Sequence, residues 1–189
     1  MNLTQLPENL PVPIDDGAAD HLKSKPLPNI LLPATNGNKV NISQIPGLLV
    51  LYVYPMTGRP DTPLPDNWDD IPGARGCTPQ SCSFRDHYAE LQNYQASVFG
   101  LSCQTSDYQH EAKMRLHLPF ELLSDNLFEL QQALHLPTFD TAGPKLYKRI
   151  TLIAYDGIIE KVFYPVFPPS DNAQQVLVWL QQRSQQEQQ

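Results

Sequence analysis

Hydrophobic and polar positions alternate in blocks that change period along the chain. Residues 48–54, "LLVLYVY", form an unbroken apolar run rich in β-formers, which predicts a strand covered on both faces in the middle of a sheet. "ASVFGLSC" (96–103) predicts a second buried strand. "RITLIAYDGIIEKVFY" (149–164) holds two β-rich runs joined by Asp156-Gly157, the pattern of a hairpin. A smaller hairpin is expected over 29–45, where Asn36-Gly37 separates short apolar runs.

Helical period appears between these strands. Thr78 reads as an N-cap with Pro79 in the first turn, and Phe84, Tyr88 and Leu91 supply a stripe at i, i+4, i+7. Ser106 and Gln109 suggest a capping box for a helix reaching Leu116. Residues 124–136 read as a third helix and 172–182 as a closing amphipathic one. The order β–α–β–α–(α)–β–β–α predicts an α/β fold with a central mixed sheet flanked by helices.

Nineteen prolines among 189 residues change the picture at two places. Six fall in the first 33 residues, so 1–25 is expected to be an extended Pro-rich arm before a domain spanning 26–182. Five more (Pro55, Pro60, Pro63, Pro65, Pro72) punctuate a polar stretch after the first strand. The Gln-rich end, 183–189, is expected to be a flexible tail.

A net charge of −7 without a basic block argues against nucleic acid as a partner. No apolar run is long enough to span a bilayer, and the first residues lack the pattern of a secretory signal, so a cytoplasmic location is expected. In that compartment three cysteines do not make a disulfide framework; thiols stay reduced unless they cycle.

The chemistry concentrates in "GARGCTPQSCSFRD" (73–86). Cys77 falls at a helix N-terminus, and Arg75 and Arg85 are close in sequence; both features favour thiolate. If Cys77 and Cys82 are both helical, five steps set their Cα atoms about 8.6 Å apart, beyond the ~7 Å reach of a disulfide. A bond between them therefore needs the first turn to unwind, giving a reduced helix and an oxidised, locally opened form. Cys77 can also be read as a small capping-region residue, and Cys82 as a flank of the helix's core face. Cys103, at a strand end, is expected to be structural, and is the reserve candidate for a resolving thiol. Zinc is not expected, because Cys77, Cys82 and His87 spread around a helix axis rather than converging.

"GCTPQSCSFRD" resembles the signature Gly-Cys-Thr-x-Glu-x-Cys-x-Phe-Arg-Asp of Q-type (bacterioferritin-comigratory) peroxiredoxins. "VFGLSCQTSDYQHEAKMRLHLPFELLSD" and "KRITLIAYDGIIEKVF" are similar to further family motifs in the same order, so the likeness covers roughly 26–182. The resemblance implies a thioredoxin fold and a thiol peroxidase reducing hydrogen peroxide or alkyl hydroperoxides. It implies Cys77 as the attacking cysteine and Cys82 as the resolving one in the same helix. Arg149 would hold thiolate and peroxide, and Gln80 takes the place of the family's Glu beside that arginine. A thioredoxin-like reductant, no cofactor, and a monomer or weak dimer are implied. A redox sensor and a thiol–disulfide oxidoreductase are the alternatives.

Two departures stand out. Ala74 occupies the position, three before Cys77, where the family has a hydroxyl-bearing Thr; Thr57 or another loop hydroxyl is expected to replace it, failing which peroxidase activity falls. About fifteen residues are inserted between Pro55 and Cys77, giving an insertion near 57–72 that carries Trp68 and four acids and is expected to be a solvated surface loop. The stretch 138–148 reads as shortened.

Overall fold

The computed structural model describes residues 2–189. Strand β1 (Leu32–Pro33) pairs antiparallel with β2 (Lys39–Val40), the small hairpin expected at Asn36-Gly37. β3 (Leu48–Val53) follows, then helices α1 (Cys77–Asp86) and α2 (Tyr88–Asn93), and β4 (Ser97–Ser102). Next come α3 (Ser106–Leu116), β5 (Leu122–Ser124) and α4 (Glu129–Leu134). A short hairpin, β6 (Thr138–Asp140) and β7 (Lys145–Tyr147), precedes β8 (Ile150–Tyr155), β9 (Ile158–Phe163) and α5 (Asn172–Glu187).

The central sheet has the order β5-β4-β3-β8-β9. β3 runs parallel to β4, and β4 to β5, while β8 is antiparallel to both β3 and β9. β3 is thus the middle strand, and its alternate side chains enter two cores. Leu49, Leu51 and Val53 meet Leu130 and Leu134 of α4, together with Leu22 before β1. Leu48, Val50 and Tyr52 meet Phe84 of α1 and the α5 stripe Ala173, Val176, Leu177 and Leu180. Burial on both faces is why the run carries no polar alternation.

Several expected boundaries move. α1 starts at Cys77, with Gly76 rather than Thr78 as its N-cap; Pro79 falls in the third helical position, where its missing N–H still removes no intrahelical bond. The stripe Phe84–Tyr88–Leu91 is split by a break at His87 into two helices. Thr105 caps α3, accepting from the Tyr108 N–H, whereas the Gln109 amide turns inward to Ser102 Oγ and the Leu123 carbonyl. The segment 124–136 is helical only over Glu129–Leu134, because Leu122–Ser124 extend the sheet. α5 runs to Glu187, so most of the expected tail is helical. Arg183 holds this end by pairing with Glu160 of β9 and with Glu187 one turn on.

The first 25 residues do not stand off as an extended arm. They are tied down at both ends: Leu3, Ala19 and Leu22 are buried, and residues 17–25 turn back through Asp20 N–H to Gly17 O and Lys25 N–H to Leu22 O. The core accordingly begins before residue 26. The insertion is not a plain solvated loop either. Asp61, Asp66, Asp69 and Asp70 face water, but Trp68 is buried against Ala74 and Leu146. No helix among the described residues is long and apolar enough to cross a membrane.

Candidate active site

The N-terminus of α1 abuts the start of β8, because α1 lies on the face of the sheet where β3 and β8 are neighbours. Gly76 makes the entry: its φ of 116° belongs to the left-handed side. A side chain there would also collide with Pro169 and Leu6. That turn delivers Cys77 to the first helical position, with its thiol directed at the Ala74 carbonyl, 3.8 Å away. Cys77 is 3% exposed.

Arg149, the residue immediately before β8, reaches across from the sheet. Its Nη2 donates to Cys77 Sγ at 3.2 Å, to the Ala74 carbonyl at 3.0 Å and to the Arg75 carbonyl at 3.4 Å. Its Nη1 donates to Gln80 Oε1, one turn along α1. Gln80, Cys77 and Arg149, all singled out in the sequence, therefore meet. The guanidinium is 4% exposed and, among the described residues, none of its hydrogen-bond partners is a carboxylate. A buried cation without a counter-ion is costly, and the Cys77 sulfur is the one hydrogen-bond partner of Arg149 that can carry a negative charge.

A second layer holds Gln80 in place, and the sequence did not point to it. Gln80 Nε2 donates to Asn172 Oδ1 (3.1 Å) at the start of α5, and Thr151 Oγ1 of β8 donates to the same oxygen (2.7 Å). With Oδ1 accepting twice, Gln80 must present its amide nitrogen to Asn172 and its oxygen to Arg149. The facing titratable groups on β3 are Tyr52 and Tyr54, both held protonated by burial. Tyr52 also anchors α1: its ring stacks on Phe84 at 4.5 Å, and its hydroxyl donates to Ser81 Oγ at 3.0 Å.

The nearby arginines are not the source of positive charge that their sequence positions suggested. Arg75, buried at the cavity beside Cys77, spends its guanidinium on Asp69 Oδ1 (2.9 Å) and the Asn2 carbonyl (3.2 Å), and its own carbonyl accepts from Arg149. Arg85 binds Asp86 and the Leu116 carbonyl. Cys82, five helical positions beyond Cys77, is half-buried; burial pushes its thiol up, partly offset by Arg85. All three cysteines are free thiols. Cys103 packs beside the Trp68 cluster, and burial raises its thiol to about 11.

Thr57 does not supply the expected hydroxyl. Its Oγ1 and N–H both donate to Gln104 Oε1, and it does not line the cavity at Cys77. The hydroxyl-bearing residue that does line it is Thr78, directly after Cys77. Ala74 is apolar where the resembled family is polar, and it packs under Trp68 and Leu146.

The chain matches the family model described as Redoxin over residues 22–177. It is 28% identical over 160 residues to "Peroxiredoxin Q, chloroplastic" of Oryza sativa subsp. japonica, covering 84% of this chain and 66% of that protein. It is 32% identical over 135 residues to "Peroxiredoxin bcp1" of Schizosaccharomyces pombe, covering 67% of this chain and 62% of that one. The chain thus spans about two thirds or less of these relatives' lengths. Among solved structures it is similar to peroxidoxin BcpB of Mycobacterium tuberculosis (TM-score 0.69, 23% identity, 85% of this chain and 97% of that one). It is also similar to a cysteine-to-serine mutant of PrxQ from Xylella fastidiosa (TM-score 0.71, 19% identity, 87% and 98%). These structural likenesses carry the thioredoxin-like fold.

Proposed function

We propose for this chain, which belongs to the Redoxin family and within it to the Q-type peroxiredoxins, the activity of a thiol-dependent peroxidase with Cys77 as its nucleophile. The observation that carries this reading is the buried Arg149, whose partners are otherwise neutral and whose Nη2 stands 3.2 Å from the Cys77 sulfur. A thiolate there completes the ion pair, and the same guanidinium can hold the outer oxygen of a hydroperoxide. Thr78, a lining residue of the cavity at Cys77, would offer its hydroxyl to orient the peroxide.

In the first step the Cys77 thiolate attacks one peroxide oxygen. The S–O bond forms, the O–O bond breaks, and the leaving alkoxide or hydroxide takes a proton to depart as alcohol or water, leaving a sulfenic acid. Cys82 then attacks that sulfur as thiolate, forming the Cys77–Cys82 disulfide and releasing hydroxide, which is protonated to water. A thioredoxin-like dithiol reduces the disulfide, two electrons and two protons returning both thiols. The cytoplasm, the compartment expected from the sequence, suits this cycle because it keeps such dithiols reduced.

In the reduced protein both cysteines lie in α1, so the disulfide requires the first turn to open. The raised Cys82 thiol fits a residue that resolves rather than attacks.

The test is peroxide consumption by the reduced protein, with mass spectrometry after one equivalent of hydroperoxide. The expected product is a Cys77–Cys82 disulfide, formed far faster than glutathione reacts and sustained over many turnovers with thioredoxin. Cys77→Ser abolishes consumption, and Cys82→Ser halts the cycle at sulfenic acid. A single slow oxidation without turnover would leave a redox sensor instead.

A further inference from the structure

Two segments outside the catalytic cluster converge on Cys77: the first residues of the chain and the insertion after β3. Leu3 packs with Leu64 onto Gly58, and Leu6 packs against Gly76. Trp68, 4% exposed, stands over Ala74. Arg75 ties the two segments together through its buried guanidinium, which binds Asp69 of the insertion and the carbonyl of Asn2 at once. What remains at Cys77 is a cavity of about 10 Å³, walled by Leu3, Met56, Leu64, Trp68 and Arg75 and floored by Cys77 and Thr78.

That space is close to the minimum that holds one water molecule. A second oxygen asks for a small displacement of its walls, and a carbon substituent on that oxygen for a much larger one. A larger apolar cavity of about 290 Å³ lies nearby, lined by Ile14, Ile71, Phe139 and Arg149, but Cys77 is not among its walls.

On the premise that Cys77 is the peroxide-attacking thiol, we infer that Leu3 and Trp68 are specificity-determining residues that restrict the site to hydrogen peroxide and exclude bulky organic hydroperoxides. The cap is fastened rather than merely collapsed. Its Arg75–Asp69 pair is half-shielded from water, and Leu3 and Trp68 bury apolar surface that opening would return to solvent.

The experiment measures second-order rate constants of the reduced full chain with hydrogen peroxide and with cumene hydroperoxide. The ratio expected for the parent is at least about tenfold in favour of hydrogen peroxide, the discrimination that a few misfitting carbons produce in a closed pocket. Trp68→Ala and Leu3→Ala should each reduce that ratio several-fold. Leu3→Ala changes only the terminal strap, and carries the test alone if Trp68→Ala does not fold. A parent ratio near one overturns the inference. So does an unchanged ratio in the variants, including a parallel rise in both rates, which would make the cap a gate rather than a sieve. Consumption that survives Cys77→Ser overturns the peroxidase reading itself, an outcome separate from any value of the ratio.

Discussion

Replacing Gln80 by Glu tests the electrostatic core of the site most directly. In the native arrangement the carboxamide oxygen of Gln80 and the sulfur of Cys77 sit on the two terminal amino groups of one buried guanidinium. The two acceptors are therefore roughly 6 Å apart; a unit negative charge at that distance acts on a thiolate with ~2.8 kcal/mol at an effective dielectric of about 20. That corresponds to about two pH units. The sign is unfavourable to the thiolate, because a carboxylate in place of the Gln80 amide would give Arg149 a second anion and repel the first. The exchange also turns a donor into an acceptor facing Asn172 Oδ1, which already accepts from Thr151, so Asn172 would have to flip and lose that bond. The assay is iodoacetamide alkylation against pH in a Cys82→Ser/Cys103→Ser background, with peroxide consumption measured beside it. In Gln80→Glu the alkylation midpoint should move up by about two pH units relative to the parent, with slower peroxide reduction near neutrality. Gln80→Met separates charge from positioning, since it removes the hydrogen bonds without adding an anion. If the Gln80→Glu midpoint coincides with the parent's, or with that of Gln80→Met, the counter-ion reasoning is refuted.

Other outcomes follow from the same structure. Thr78→Val should slow peroxide reduction by roughly tenfold or more while leaving the alkylation profile in place, because the hydroxyl is assigned to the peroxide and not to the sulfur; equal rates would remove Thr78 from the site. Phe84→Ala should cost about 3–5 kcal/mol in urea unfolding, since the ring is fully buried and stacked on Tyr52. Asp16, which binds Lys148 and Tyr164, has its carboxyl lowered from 3.8 to about 2, chiefly by the hydrogen bond from Lys148. Its contribution is present above pH 3.8 and lost as pH falls towards 2, so amide protection in residues 14–18 should fall only in that acid range.

The sequence made the middle of the sheet legible because burial on both faces leaves an unbroken apolar run at 48–54, and because Asp156-Gly157 meets the left-handed requirement of a tight turn. β5, β6 and β7 escaped because each is only three residues long, too short for alternation to stand out. The start of α1 was misplaced because its cap is a glycine, which leaves no side-chain signature. Cys77 and Cys82 stood out by their place and spacing at a helix start, whereas Gln80 and Arg149 were reached through motif resemblance. Asn172 and Thr151 were not, since nothing local marks a side chain whose partner lies 92 or 21 residues away. The insertion misled for a related reason: its acids advertise the wet face, and the buried Trp68 shows its role only once the first residues of the chain are folded against it.

The break at His87 bears on how far a change at Cys77 can spread. α1 has only ten residues and does not continue into α2. Within it, Phe84 is locked onto Tyr52, and Arg85 is fastened to the Leu116 carbonyl. In the proposed cycle, opening the first turn to join Cys77 to Cys82 would therefore have a natural stopping point just beyond Cys82. The melted stretch is a few residues rather than both helices, small enough to reverse on every cycle without loosening the sheet beneath it. The protein thus keeps its local instability in a compartment, bounded by the glycine before Cys77 and the aromatic pair behind Cys82.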